Sequence, residues 1–374
     1  MKSIRTEVLV IGGGPGGAIA ARALARQGLD TLLLEKNLSF VKPCGGGITS
    51  TAFDELQLPA LPDTKYVDTI KIVSPRDNLV PIRLTGASIA IVRRGDFDSA
   101  LRREAEKFGA RLLEGEFKHF ADVGKTVASE VSLDGHNVQV KADYVIAADG
   151  VNSRVRAALS IKPVYACLTL TGKIKDEETD CCEFWFSSSH APRFYSWVFP
   201  QKEGISLGTG SLNFREIKMM WQRFLERRAL KINETHATGK GISLRGYRVP
   251  LWQGDLFARG NVLFVGDAAG QVLPLTYEGI YYAMKSGELA ATAIAEGKIG
   301  NYKKLWEQNF RRRFSLMRRL WEKFLTDDNQ AERLVQFCRI PEVQSASMRL
   351  WLKKEPGRES LRTYIHILRR LFIR

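Results

Sequence analysis

Glu7-Val8-Leu9-Val10-Ile11-Gly12-Gly13-Gly14-Pro15-Gly16-Gly17-Ala18 decides the fold of this chain. Glu7 to Ile11 reads as a short buried strand, and Ala18 to Gln27 as the helix that follows the glycines. Between them stands G-x-G-x-x-G, with Gly12, Gly14 and Gly17 in the three glycine positions and Pro15 and Gly16 inside it. The first glycine allows a tight turn, the second lets backbone approach a pyrophosphate, and the third lets helix pack closely on strand. The helix start presents free N–H groups and a positive dipole end to phosphates.

A second strand, Thr31 to Leu34, runs into Glu35, 18 residues beyond Gly17. A carboxylate at that spacing can accept both hydroxyls of an adenosine ribose. It disfavours a 2′-phosphate there, so FAD or NAD suits the cradle better than NADP; Lys36, next to it, is counted with the cofactor residues.

Two later segments separate FAD from NAD. Asp143-Tyr144-Val145-Ile146-Ala147-Ala148-Asp149-Gly150 and Asn261-Val262-Leu263-Phe264-Val265-Gly266-Asp267-Ala268 each run an apolar strand into an aspartate and a small residue. That is how a strand delivers a carboxylate to a ligand at its C-terminal end. In this order after the glycines, they resemble the hydroxylase branch of the glutathione-reductase-like FAD proteins. The resemblance implies that Asp267 binds the ribityl chain and that Asp149 and Gly150 lie near the pyrophosphate. Arg93-Arg94-Gly95-Asp96-Phe97-Asp98-Ser99-Ala100-Leu101 matches that family's R-x-x-F-D-x-x-L helix start, which puts Arg94 on the flavin side. No second dinucleotide cradle is present, and Gly208-Thr209-Gly210 reads as a strand turn. Electrons are therefore expected from a transient donor, either NAD(P)H or a reduced carrier protein.

Three features narrow the chemistry. Lys42-Pro43-Cys44-Gly45-Gly46-Gly47-Ile48 sets bare backbone beside a thiol, suited to close approach by a flat ring. Pro192-Arg193-Phe194-Tyr195-Ser196-Trp197-Val198-Phe199-Pro200 alternates so that Tyr195, Trp197 and Phe199 share one strand face. Pro274-Leu275-Thr276-Tyr277-Glu278-Gly279-Ile280 opens an Ala-rich helix. Together they resemble the geranylgeranyl reductase family, flavoenzymes that hydrogenate isolated double bonds of polyprenyl chains, over about Val8 to Ala291. The resemblance implies that Cys44, Gly45 and Gly47 line the isoalloxazine and that Gly279 and Ile280 donate backbone N–H groups to its pyrimidine end. It implies too that Tyr195, Trp197 and Phe199 line a prenyl tunnel. Cys44, Tyr195, Tyr277 and ordered water stand as candidates for the acid that protonates the alkene. Two positions depart from the family pattern. Gln201 and then Lys202 follow the Phe-Pro pair where the family often has Lys at once, and Tyr277 stands where it often has Gly. A monooxygenase or halogenase on the same fold is the rival reading, and an electron carrier to a membrane quinone a third.

Length, 374 residues, suffices for two joined domains, and 44% hydrophobic with 26% charged residues is ordinary globular composition. No apolar run approaches the roughly 18 residues that span a bilayer. Five cysteines without C-x-x-C or zinc spacing, and five histidines without ligand spacing, point to no metal and to reduced thiols in a cytoplasmic protein. The charge is lopsided: residues 301–374 hold 18 Lys+Arg against 8 Asp+Glu, which is +10 of the total +15. Trp306, Phe310, Phe314, Met317, Trp321 and Phe324 space out an apolar helical stripe, with Arg311-Arg312-Arg313 and Arg318-Arg319 on its flanks. Leu361, Tyr364, Ile365, Leu368 and Phe372 oppose Arg362, His366, Arg369, Arg370 and Arg374 in a terminal helix that could lie on an anionic membrane at its inner face. No nucleic-acid motif accompanies the charge. The expected architecture is α/β, with a discontinuous Rossmann-type FAD domain (residues 1–65, 88–160 and 245–298). A sheet-based substrate domain is inserted at 66–87 and 161–244, and a basic helical region follows at 299–374.

Overall fold

Val8, Leu9, Val10 and Ile11 are 0 to 4% exposed, and a strand covered on both faces belongs inside a parallel sheet. The computed structural model describes residues 3–175, 177–229 and 243–354. In it the strand Ser3–Ile11 lies between His136–Ala147 and Thr31–Glu35, parallel to both. Val262–Phe264 and Arg111–Glu114 extend the parallel array on either side. Antiparallel Ala258–Arg259, Val127–Leu133 and Glu116–Val123 complete an eight-stranded sheet. Leu9, Leu32, Val140, Val145, Val262 and Phe264 are in its core. The helix Pro15–Arg26 links the first two strands and packs on the helix Ile280–Ala295. The crossing is close: a Cβ on Gly287 would stand 2.1 Å from the Gly16 carbonyl oxygen, so that helix needs a glycine there. These elements make up the first of two units, Met1–Val41, Gly95–Ala166 and Val249–Phe314. The α/β class and parallel dinucleotide-type sheet are those the glycine cradle implied.

The second unit comprises Lys42–Arg94, Cys167–Arg248 and Ser315–Arg374. Its seven-stranded sheet runs in the order Arg245–Pro250, Ala166–Ile174, Ile205–Ser211, Ser196–Pro200, Cys182–Trp185, Thr69–Val73 and Leu79–Arg83. One face is covered by the helix Ile217–Ala229 through Ile217, Trp221, Phe224 and Leu225, packed against Val73, Trp185, Val198, Ile205 and Leu207. A small antiparallel sheet joins Gly47–Thr49 and Lys65–Val67 to Ile89–Ile91.

Gly208-Thr209-Gly210 is not the turn that its composition suggested; it lies inside the strand Ile205–Ser211. A Cβ on Gly208 would meet Trp197 at 2.1 Å, and one on Gly210 would meet Phe194 at 2.6 Å. The glycines are there to seat aromatic rings.

The C-terminal region is helical as expected, in Asn301–Trp306, a π-turn Glu307–Arg311, Arg312–Phe324, Asp328–Phe337 and Pro341–Trp351. Trp306, Phe310, Phe314, Met317 and Phe324 are buried. Arg313 corrects the flank reading: it is 4% exposed, and its guanidinium donates to the Tyr282 hydroxyl at 3.3 Å. Within the helix Arg312–Phe324 it stands four residues before the buried Met317, on the same side. The terminal amphipathic segment 361–374 lies outside the described residues. Among those described, no helix is long and apolar enough to cross a membrane.

Candidate active site

In the first unit the strand ends are in register, Ile11 beside Leu34 and Ala147, and Ala147 beside Phe264. Everything that leaves the sheet after these residues therefore emerges along one edge. Gly12 turns at φ +106°, and a Cβ there would strike the Ala148 carbonyl oxygen at 2.4 Å. A Cβ on Gly17 would lie 1.8 Å from the Gly12 oxygen. Gly14, by contrast, has nothing within 4 Å of its Cβ position. It caps the helix Pro15–Arg26 with no side-chain hydrogen bond and no acidic residue in the first turn. That leaves a positive helix end with open space above it, the arrangement that receives a phosphate. Glu35 is held ready beside it: its Oε2 accepts from the Gly13 N–H at 2.6 Å and its Oε1 from the Asn37 N–H at 3.0 Å. Lys36 sits 2.6 Å from Glu116 in an exposed ion pair.

Asp149 Oδ2 accepts from the Val155 N–H at 3.0 Å, whereas its buried Oδ1 has no hydrogen-bond partner. Burial pushes this carboxyl above the ordinary carboxylate range. Such an oxygen suits a ligand that brings its own hydroxyl or N–H. Asp267 opens the turn Gly266–Ala269, and its Oδ1 lies 3.6 Å from the Cβ position of Gly279. Gly279 caps the helix Ile280–Ala295, again without a side-chain cap. Leu275 and Tyr277 just before it take φ of +72° and +52°. That is the left-handed region, which explains why glycine is at home at the Tyr277 position.

In the second unit, Phe184 stands opposite Trp197 in register and packs edge-on against Tyr195 and Phe199 at 5.2 and 5.4 Å. Tyr195, Trp197 and Phe199 thus share a face, as the alternation required. Phe186 and Phe194 extend it. The glycine loop meets the same face: Cβ atoms on Gly45 and Gly47 would stand 2.4 and 3.1 Å from the Phe199 ring. The bare backbone read as room for a cofactor ring has a ring of this chain against it. Arg94, buried, brings Nη1 to 3.5 Å from Cys44 Sγ. Gln201 donates to the Gly45 carbonyl at 3.4 Å, and Lys202 pairs with Asp63 at 2.7 Å.

Several residues at these sites escaped the sequence reading. Arg102 donates to the Gly13 and Leu38 carbonyls at 3.2 and 3.0 Å and braces the glycine turn from below. It follows Arg94 by two helical turns, and that spacing was the signal for it. Arg156 donates to the Ala268 carbonyl at 2.9 Å, tying the Asp149 segment to the Asp267 turn. The Gly266 N–H donates to Gln271 and Ser286, and Gln271 reaches Tyr302 in a buried network. No local pattern announces it. Phe184 was legible in the apolar run Cys182-Glu183-Phe184-Trp185-Phe186.

Comparison with known proteins decides between dinucleotides. Residues 5–302 match the family model of the FAD binding domain. A chloroplastic geranylgeranyl diphosphate reductase of Arabidopsis thaliana is 30% identical over 94% of this chain and 82% of its own length. The chain belongs to the geranylgeranyl reductase family. Another relative, a digeranylgeranylglycerophospholipid reductase of Methanothrix thermoacetophila, is 27% identical over 94% of this chain and 95% of its own. A crystal structure of a geranylgeranyl bacteriochlorophyll reductase-like protein from Thermoplasma acidophilum superposes with a TM-score of 0.81 at 26% identity, covering 97% and 96% of the two chains. A flavin-dependent brominase reaches 0.77 at 17% identity, a likeness of fold alone. As a member of the geranylgeranyl reductase family, this chain is an FAD-dependent oxidoreductase. The residues present suit that cofactor: two helix starts without a side-chain cap, the Glu35 carboxylate beside the first, and a buried Asp149 oxygen without a hydrogen-bond partner. No cluster of metal ligands exists among the described residues.

Proposed function

We propose that the enzyme hydrogenates carbon–carbon double bonds of a polyprenyl chain of the geranylgeranyl type, borne by a lipid, quinone, diphosphate or pigment. The observation that carries this reading is the packed aromatic face of Phe184, Tyr195, Trp197 and Phe199 in a chain related throughout to polyprenyl reductases. A prenyl chain offers no hydrogen-bonding groups, so a surface of rings is its physical complement.

We assign the Gly12–Gly17 turn, Glu35 and Lys36 to the adenosine and pyrophosphate part of FAD, with Asp149 and Gly150 beside the pyrophosphate. Asp267 goes to the ribityl chain, and Gly279 and Ile280 to the pyrimidine end. Cys44, Gly45, Gly47 and Arg94 are assigned to flavin contact on the family resemblance. The first unit then supplies most of the cofactor's contacts, and the second supplies the aromatic face and the Cys44 loop.

Reduced FAD, when bound, supplies a hydride. The protein must hold the alkene still, exclude water and deliver a proton to the second carbon, so that two hydrogens add across the bond. Cys44 is the donor we favour, because Arg94 Nη1 is placed to donate to the sulfur left behind. Tyr195 and Tyr277 are the alternatives. Electrons reach the flavin from NAD(P)H or a reduced carrier protein, and the basic C-terminus brings the enzyme to an anionic membrane surface.

Anaerobic incubation of the FAD-loaded protein with dithionite and geranylgeranyl diphosphate, followed by mass spectrometry, tests the reading. The expected product gains two hydrogens per reduced bond. Substrate-stimulated oxygen consumption yielding a hydroxylated product would overturn it in favour of a monooxygenase.

A further inference from the structure

The strand Ser196–Pro200 has no binary pattern to fix its register. Ser196, Trp197, Val198 and Pro200 are buried and Phe199 is half-buried, so apolar groups cover both faces. A slip of one residue would exchange the two faces. Hydrophobic burial as such resists that slip weakly, since Val198 and its aromatic neighbours are all at home in a core; the fit of Trp197 over Gly208 resists it by shape.

On the core side of this strand lies a closed ring of hydrogen bonds. Arg227 Nη1 is 3.1 Å from His190 Nε2, His190 Nδ1 is 2.8 Å from Ser196 Oγ, and Ser196 Oγ is 2.8 Å from Thr209 Oγ1. Thr209 Oγ1 in turn donates to the His190 carbonyl at 2.5 Å. Every direction in the ring is determined. A guanidinium can only donate, so Nε2 accepts and Nδ1–H donates to Ser196. The Ser196 hydroxyl then donates to Thr209, and the Thr209 hydroxyl to the carbonyl. His190, Ser196 and Thr209 are each 0% exposed. Burial and the nearby Arg227 hold His190 neutral, pushed down to about 3. Arg227 is itself anchored on the Ser74 and Pro75 carbonyls at 2.7 and 3.0 Å. Arg227 Nη1 also donates to the Phe186 carbonyl at 3.5 Å, and a buried polar group left unmatched is costly. A slipped strand would carry the Ser196 hydroxyl away and leave it and the His190 Nδ1–H unmatched.

We propose that His190, through Ser196 and Thr209, is a positioning residue that locks the register of this strand and so turns Tyr195, Trp197 and Phe199 together toward the substrate. The inference rests on the polyprenyl reading of that face. The polar ring selects between two apolar alternatives and adds little net stability.

Thr209→Val and Ser196→Ala test it, with Thr209→Ser as the conservative control and His190→Gln as a second disruption of the ring. Three quantities are read in each: FAD absorbance and its reduction by dithionite, KM and kcat for geranylgeranyl diphosphate, and the near-UV circular dichroism attributable to Trp197 (the difference made by Trp197→Phe in the same background). The expected result is unchanged flavin loading and reduction, kcat within about twofold, and KM raised roughly tenfold, the loss of one buried hydrogen bond. Thr209→Ser should restore KM. The Trp197 dichroism signal should change in the disrupted variants and return in the control. Variants that melt earlier but keep wild-type KM and Trp197 signal would overturn the inference. If wild-type protein turns over no polyprenyl substrate, the proposed activity fails, and the Trp197 signal still decides the register question alone.

Discussion

A Cβ built on Gly45 would stand 2.4 Å from Cδ2 of Phe199. The thiol-bearing loop and the aromatic strand are therefore in van der Waals contact within one unit, and the glycine is required by its neighbour's ring. Gly45→Ala must displace Phe199, a rigid ring packed in turn on Phe184. The expected cost is about 1–3 kcal/mol of stability, measured by denaturant unfolding. Phe199→Leu in the same chain should recover part of it, and an additive double mutant would refute the contact as the cause.

Arg102 offers a second test, at the other unit's glycine turn. Its guanidinium donates to the Gly13 and Leu38 carbonyls and to Ser99. Arg102→Met keeps the apolar stem and removes the donors, so Gly13 loses its brace. FAD affinity, followed by quenching of flavin fluorescence, should fall roughly tenfold or more, in line with about 1.5–3 kcal/mol for hydrogen bonds from a charged group. Arg102→Lys should recover little, since one ammonium cannot span the three acceptors.

Asp255 gives the protein a pH signature. Its Oδ1 accepts from Trp252 Nε1 at 2.9 Å, but its buried Oδ2 has no hydrogen-bond partner, and burial raises its carboxyl to about 6. The folded state thus holds this proton more tightly than the unfolded chain. The stability it contributes is complete below the unfolded value of about 4 and is lost as pH rises through about 6. Thermal unfolding should show a decline on the order of 2 kcal/mol across that window. Asp255→Asn, which cannot ionise, should lack that component of the decline.

Tyr277 separates backbone from side chain. Tyr277→Ala and Tyr277→Gly both remove the phenol, but only glycine accepts φ of +52° without strain. The glycine variant should be the more stable by about 1 kcal/mol. Tyr277→Phe keeps shape and removes only the hydroxyl. If it reduces prenyl substrate at the wild-type rate while Cys44→Ser does not, the proton comes from Cys44; the reverse pattern would move the donor to Tyr277.

What could be read in the sequence follows how locally each feature is encoded. The Gly12–Gly17 turn, Glu35 and the Asp149 and Asp267 segments are short stretches whose neighbours in sequence also set their geometry. They were legible. So was the shared face of Tyr195, Trp197 and Phe199, because strand periodicity alone fixes it. Gly208 and Gly210 were misread as a turn because the rings that demand them come from other parts of the chain. Arg313 stands four residues before Met317, on the stripe's own side of the helix Arg312–Phe324, and its charge hid that. The Arg102 brace and the His190 ring depend on groups tens of residues apart, whose partners no local pattern announces.

The crossing of the helices Pro15–Arg26 and Ile280–Ala295 at Gly16 and Gly287 has a temporal consequence. The Gly12–Gly17 turn leaves the ribosome long before the helix that backs it, and the neighbouring strand His136–Ala147 emerges between the two. A nascent chain therefore carries this apolar strand and helix without their cover until Ile280–Ala295 emerges. Contacts of such long sequence separation close slowly and leave sticky surface exposed meanwhile. The cradle takes its final shape only once that late helix has folded onto it, so refolding should be slow and prone to aggregation until then.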